Sequence, residues 1–484
     1  MRKTFLSSSY PAKLASCSVL CNTRCGVSIR KPPARSVSVL TLAFVGAMGM
    51  FCEPAFSMNL LEAVDAALSQ DAVWQSAQWE AKSVQQNRPI ARGAFFPQVS
   101  VSIAQGKSTF DREFQSGGAL RNDVQRVNTT NNALQLRQTL FSLDALARYR
   151  QAGVQGSVAD ETLRKERQDL IVRVATAYID VLVSQDVYSL SEVDDRAAAE
   201  QANGLSSALK RGEAAASDEA EARARADIAR VKLLEAGEAL EANLRTLELI
   251  TGQRAQKVAG FNKQFDWRDV VRQPFDEWRD LAATNNPEVR VAQKTIEFFE
   301  EEVARQQAGH APRLDLVLSR TQAQSDSVNT VGVKSDVDSA FLQLQVPIFS
   351  GFAVNESVAQ ARLRLAKSQS DRDAALRRVG NDLYRSYTGV KLAHDKLSAL
   401  DKAVKSAEGS VKAAQLGVKT GLRVMADVFT AQQKLYQARV DYARGFYDAV
   451  LSLLKLRAGT GALGDEELRA VASVFSVGEA GAGE

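Results

Sequence analysis

A repeat at a spacing of 209 residues constrains this chain more than any other feature. Lys210–Glu219, KRGEAAASDE, has its partner in Lys419–Phe429, KTGLRVMADVF, and superposing Gly212 on Gly421 also superposes Asp218 on Asp427, Tyr178 on Tyr387 and Gly252 on Gly461. Coincidences sharing one offset mark two copies of a unit of about 200 residues, and self-similarity on that scale governs the architecture before any single element does. In each copy the glycine interrupts a very long helical pattern and a new helix starts near the aspartate. Gly accepts the backbone angles of a tight turn and Asp can cap a helix N-terminus, so each copy is expected to hold a helical hairpin with its tip at this motif. The division that follows is a leader over 1–57, a first repeat over 58–268, a second over 269–463 and a tail over 464–484.

The leader differs in composition from everything after it. Arg2, Lys3, Lys13, Arg24, Arg30, Lys31 and Arg35 come without an acid, and an apolar run from Ser36 to Phe51 follows. That is the pattern of a secretory signal, with Ala55-Phe56-Ser57 fitting the small-residue cleavage rule. The apolar run, at about 16 residues, is short of the ~20 that span a bilayer. Cys17, Cys21, Cys25 and Cys52 all fall within the leader, so the processed chain is expected to hold neither disulfides nor thiolate metal sites. Without the leader the formal charge changes from +4 to about −2, and the basic precursor is no argument for nucleic-acid binding.

Within each repeat the hydrophobic period switches. Leu60, Leu61, Val64, Ala67 and Leu68 recur at helical spacing, and Arg88-Pro89 marks a kink. After Pro97, and after Pro312 in the second copy, the period becomes two: Val99, Val101 and Ile103 alternate with polar neighbours, as do Leu134 and Leu136, Leu314 and Leu316, and Leu342, Leu344 and Val346. Strands are expected at about 98–108 and 132–141 in the first copy and 313–321 and 339–348 in the second, joined by polar loops over Gly106–Asn132 and Thr321–Ser339. Strands of some 10 residues with one apolar face suit a membrane β-barrel, and equally an ordinary sheet with one wet face. Four strands do not close a barrel, whereas three copies would supply twelve.

The other tracts are too long for a compact globule. Ser142–Leu209 and Phe352–Leu416 contain no proline and are rich in Ala, Arg, Glu, Gln and Leu, with stripes such as Ile228, Val231 and Leu234, then Leu240, Leu244 and Leu247. That is coiled-coil composition, and at 1.5 Å per residue each tract could approach ~100 Å.

Several tracts together carry a family resemblance: AYIDVL at 177–182, ITG at 250–252, GHAPRLDL at 309–316, VPIFSG at 346–351 and KTGLRVMADVFTAQQKLYQAR at 419–439. In that order they resemble the TolC family of outer-membrane channels for type I secretion and drug efflux. The resemblance implies a mainly α fold with membrane β: a homotrimer whose 12-stranded β-barrel in the outer-membrane lipid continues as a long α-helical barrel, a coiled-coil tunnel across the periplasm. It implies docking to an inner-membrane transporter, ABC or proton-driven, and to a periplasmic adaptor protein. It also implies a tip closed by inward acidic side chains and by links between the hairpins. The motif aspartate falls on Asp427 and the motif arginine on Arg423, with Ser217 and Asp218 as the linked partners on the first hairpin and Gly212 and Gly421 as the tip glycines. Thr430 stands where a second acidic ring residue is often found, and Val418 replaces an aromatic.

Catalytic chemistry finds no footing. His310, at the start of a strand, and His394, on a helix, have no companion metal motif, and Gly459–Gly464 matches GxGxxG after a helix, where helix termination explains it better. No enzyme activity, cofactor, metal or nucleic-acid partner is expected. The alternative from another class is a periplasmic adaptor or structural coiled coil of a secretion system, which predicts one hairpin between soluble β domains instead of two copies each with a strand pair.

Overall fold

Side-chain caps divide the first helical stretch. Asn59 and Glu62 form a reciprocal capping box at the start of α1, Leu60–Gln70, and the Asp71 carboxylate accepts from the Trp74 amide at 2.7 Å to begin α2, Ala72–Gln85. A short α3, Asn87–Arg92, follows. The break falls at Gln86 and Pro89 sits in the first turn of α3, where a missing amide hydrogen costs least. The computed structural model describes residues 58–116, 119–255, 258–260, 272–325, 332–463 and 469, all in one unit, Ala55–Glu484. The leader over 1–57, the boundary at 268/269 and, apart from residue 469, the tail over 464–484 lie outside the described residues.

The first strand pair is longer than its hydrophobic alternation indicates. β1 is Gln98–Ser116 and β2 is Ala119–Ser142, paired antiparallel from Gln98 with Arg137 to Ser116 with Ala119. The segment over Gly106–Asn132 is therefore strand along most of its length rather than a polar loop. Ladder pairing is made by the backbone, and polar β-formers such as Thr109, Thr129 and Thr130 sustain it without an alternating apolar signal.

Ser142 then caps α4, Leu143–Lys210, by accepting from the Ala145 amide. After a tight turn α5, Ala216–Thr251, runs back along α4. The second copy opens with α6, Phe275–Asn285, and α7, Pro287–Gln307, which Asn286 caps through the Glu288 and Val289 amides with Pro287 at the first helical position. β3, Arg313–Ser325, and β4, Val333–Gln345, complete a four-stranded antiparallel sheet in the order β1-β2-β3-β4. The expected extension of the last strand to 348 stops at Gln345. The long helical tract of this copy is two helices, α8, Ala353–Lys391, and α9, Ala393–Lys419, parted at Leu392; α10, Met425–Gly459, follows.

Much of the buried seam of these long helices is alanine. Ala145, Ala152 and Ala159 on α4, Ala222, Ala229 and Ala236 on α5, and Ala361, Ser368 and Ala375 on α8 are all buried at seven-residue spacing. Small residues at that period let helix axes approach closely along a coiled-coil seam. Of the stripes read from large residues, Leu247 is buried, whereas Ile228, Val231 and Leu234 face outward. The main core lies where α1, α4, α5, α8 and α10 meet, around Tyr178, Leu247, Leu383, Phe446 and Leu454. The Tyr178 hydroxyl lies 3.0 Å from the Met58 carbonyl oxygen and 2.7 Å from that of Ala259, and burial raises its pKa above the ordinary tyrosine value.

Candidate gate at the hairpin tips

The two tips are the same turn built twice. In the first, the Glu213 amide donates to the Ala208 carbonyl at 2.9 Å and the Gly212 amide to Leu209 at 3.0 Å. In the second, Leu422 donates to Gly417 at 2.8 Å and Gly421 to Val418 at 3.1 Å. This 6→1 and 5→2 pattern is a Schellman motif, which needs a left-handed residue after the helix. Gly212 and Gly421 supply it, with φ of 74° and 72°. Each hairpin is also clamped across its arms by an ion pair, Arg225 with Asp194 at 2.9 Å in the first and Arg439 with Glu408 at 2.7 Å in the second.

Neither motif aspartate is an N-cap. The caps of α5 and α10 are Ala215 and Val424, with extended backbone and no side-chain hydrogen bond, so Asp218 and Asp427 sit third in their helices. There a carboxylate is favoured by the exposed amides and dipole of the first turn while its side chain stays available. Asp427 is exposed, Asp218 half-buried and Ser217 exposed. Arg423 is exposed at the second tip, and its guanidinium has no partner among the described residues, Ser217 and Asp218 included. The Thr430 hydroxyl donates to the Ala426 carbonyl at 3.0 Å within its own helix. The repeat offset pairs Thr430 with Glu221, an exposed acid one turn beyond Asp218 that motif reading alone passes over.

Within the chain the two hairpins are tied along α4 and α10. The Tyr447 hydroxyl donates to Asp186 Oδ2 at 3.1 Å, Ser191 Oγ lies 2.8 Å from the Tyr436 hydroxyl, and Gln201 Nε2 lies 3.9 Å from Met425 Sδ nearer the tip. Burial and the Asp186 charge both raise the Tyr447 pKa, so it remains a neutral donor. Lys232 of α5 stands 5.0 Å over the Tyr436 ring. Sequence periodicity gave no sign of these contacts, because each is a single polar residue on an otherwise ordinary helix face.

At the other end, the sheet carries an exposed apolar face. Register places Phe141, Leu314 and Leu344 in one row, Val99, Leu136, Leu318 and Ala340 in another, and Val101 beside Leu134 above them. Val101 and Leu344 are 67% and 64% exposed. On the opposite face Asp315 is buried between Arg137, at 2.6 Å, and Arg313, at 2.9 Å. Exposed Phe95, Phe96, Phe141, Phe349 and Phe352 mark the level where strands give way to helices. Among the described residues no helix is long and apolar enough to cross a membrane.

The family described as outer membrane efflux protein matches residues 63–253 and 278–462. The chain is similar to the alkaline protease secretion protein AprF of Pseudomonas aeruginosa, at 31% identity over 91% of this chain and 92% of the relative. It is also similar to the outer membrane protein TolC of Escherichia coli, at 25% identity over 80% and 78%. Among solved structures, CusC superposes with a TM-score of 0.71 at 14% identity, covering 83% of this chain and 92% of that one. The Campylobacter jejuni CmeC outer membrane channel gives 0.71 at 15% identity, covering 86% and 90%.

Proposed function

Because this chain belongs to the outer membrane efflux protein family, an outer-membrane export channel reaching into the periplasm, we propose that three copies close one 12-stranded barrel continued by a single helical tunnel. The observation that carries this reading is the sheet. Its outward face is apolar over membrane-length strands, yet β1 and β4 each leave an unpaired edge. Open edges are not tolerated in hydrocarbon, so a four-stranded sheet with such a face must be completed by other strands, and three copies give an even, closed number. The phenylalanines at the strand–helix junctions match the aromatic girdle expected at the membrane boundary.

Trimerisation would gather three Asp427 carboxylates around one axis at the narrow end, with Thr430 one turn further along. A ring of like charges attracts cations and binds multivalent ones. Since Arg423 meets neither Ser217 nor Asp218 within a protomer, the link we propose between them forms across neighbouring hairpins. An exposed pair of this kind is worth about 1 kcal/mol, small enough for a docking partner to release. The second tip also exposes Leu416, Leu422 and Val424, where the offset gives Ser207, Glu213 and Ala215 on the first, and this apolar tip is the surface proposed to meet the periplasmic adaptor. Energy for transport comes from the inner-membrane pump. Relatives named for protease secretion, AprF and the PrtF of Dickeya chrysanthemi, favour protein as the cargo of this chain.

Ion selectivity tests the gate. Asp427→Ala is expected to weaken cation preference and multivalent block in single channels while the trimer persists. Unchanged selectivity and block would remove Asp427 from the constriction.

A further inference from the structure

We infer that Gly417 is the positioning residue of Arg423, its bare backbone forming the seat on which the arginine stem rests; this builds on the gate role proposed for Arg423. Gly417 lies in the last turn of α9, where no turn requires a left-handed residue and where alanine would be the better helix former. What excludes a side chain is Arg423. A Cβ on Gly417 would stand 2.9 Å from Arg423 Cγ, 3.0 Å from Cδ and 3.2 Å from Cβ, too close at the root of the side chain for a swing of its far end to relieve. The Gly417 carbonyl also takes the amides of both Leu422 and Arg423, at 2.8 and 3.1 Å, so the two residues are held face to face from the backbone.

The repeat supplies an internal control. At the same offset the first tip has Ala208 in place of Gly417 and Ala214 in place of Arg423, on the same turn with the same Glu213-to-Ala208 amide bond. The turn itself therefore accepts a Cβ at this position. The second tip departs from the first at both members of the contact, a longer side chain facing a shorter one. An arginine stem fixed in this way points an unpartnered guanidinium in one direction, so less side-chain freedom is lost when a carboxylate arrives.

The test is a double-mutant cycle on the intact trimer, reading open conductance in planar bilayers together with thermal stability of the trimer. Arg423→Ser, which removes the proposed link, is expected to raise open conductance; Gly417→Ala is expected to reproduce most of that rise without lowering thermal stability, and to add nothing in the Arg423→Ser background. Wild-type conductance for Gly417→Ala beside a raised Arg423→Ser overturns the seat and leaves the link intact. A further rise in the Arg423→Ser background also overturns it, since Gly417 would then act by another route. Wild-type conductance for Arg423→Ser removes link and seat together. Should Gly417→Ala prevent trimer assembly, recovery of assembly in the double variant supports the seat and failure to recover overturns it.

Discussion

Glycines 212 and 461 share a left-handed backbone and differ in what surrounds them, which makes their substitutions informative as a pair. Gly212, at φ 74°, has open space around it, so Gly212→Ala should cost only the ~1–2 kcal/mol of a left-handed alanine. Gly461, also at 74°, faces the Asn285 backbone, which an added methyl would strike, so its alanine variant should cost clearly more. Thermal unfolding of the two variants checks this, and equal costs would contradict it. Glu302 gives a pH prediction. Burial raises its pKa, but hydrogen bonds from Arg305, Gln306 and Gln151, at 2.7–2.9 Å, outweigh that and hold it below the ordinary value. A depressed folded pKa means stabilisation that is complete above the unfolded value, about 4.3, and is lost as pH falls through the folded one. Glu302→Gln should therefore destabilise at neutral pH by about 1–3 kcal/mol, with the deficit narrowing in acid unfolding experiments below the unfolded pKa; a deficit that widens in acid would be the wrong sign. At this scale the tip glycines were legible because only a left-handed turn explains a glycine at the end of each long pattern. The aspartates lie on the expected turn but not at its N-cap, since Asp suits both the N-cap and the first-turn positions and the capping backbone of Ala215 and Val424 carries no sequence signal.

Among elements, the strands divide into a part that alternates and a part that does not. Val101→Arg and Leu344→Arg place a charge on the exposed apolar face and should each cost about 2–4 kcal/mol of barrel stability near the membrane midplane, with Ser100→Arg and Gln343→Arg tolerated. Measured by heat-modifiability of the trimer in lipid, equal tolerance at all four positions would argue against a lipid-facing sheet. Alternation revealed this membrane-length portion because one face is apolar and the other polar. The ten further pairs from Lys107 with Asn128 to Ser116 with Ala119 have no such contrast and leave no alternating signal. The helices show the converse. Large apolar residues such as Ile228 dominate the periodicity yet face outward, while much of the buried seam is alanine, whose weak hydropathy leaves little trace in it. Ala229→Leu should overpack that seam and cost about 1–3 kcal/mol, whereas Ala220→Leu, on the exposed side of the same helix, should cost little.

For the whole molecule, the duplication made a strand pair and a hairpin per copy legible in outline, and the four strands do form one sheet. The ties between hairpins, Asp186 with Tyr447 and Ser191 with Tyr436, join residues 261 and 245 positions apart, and no local pattern could pair them. The same holds for the proposed contacts between copies, which depend on closure of the barrel. That closure is the central claim, and single-channel recording tests it most directly. The purified, processed protein reconstituted in a planar bilayer should insert as a trimer and give small, discrete, cation-preferring conductance steps of uniform size. Soluble monomers that never produce a step would contradict it.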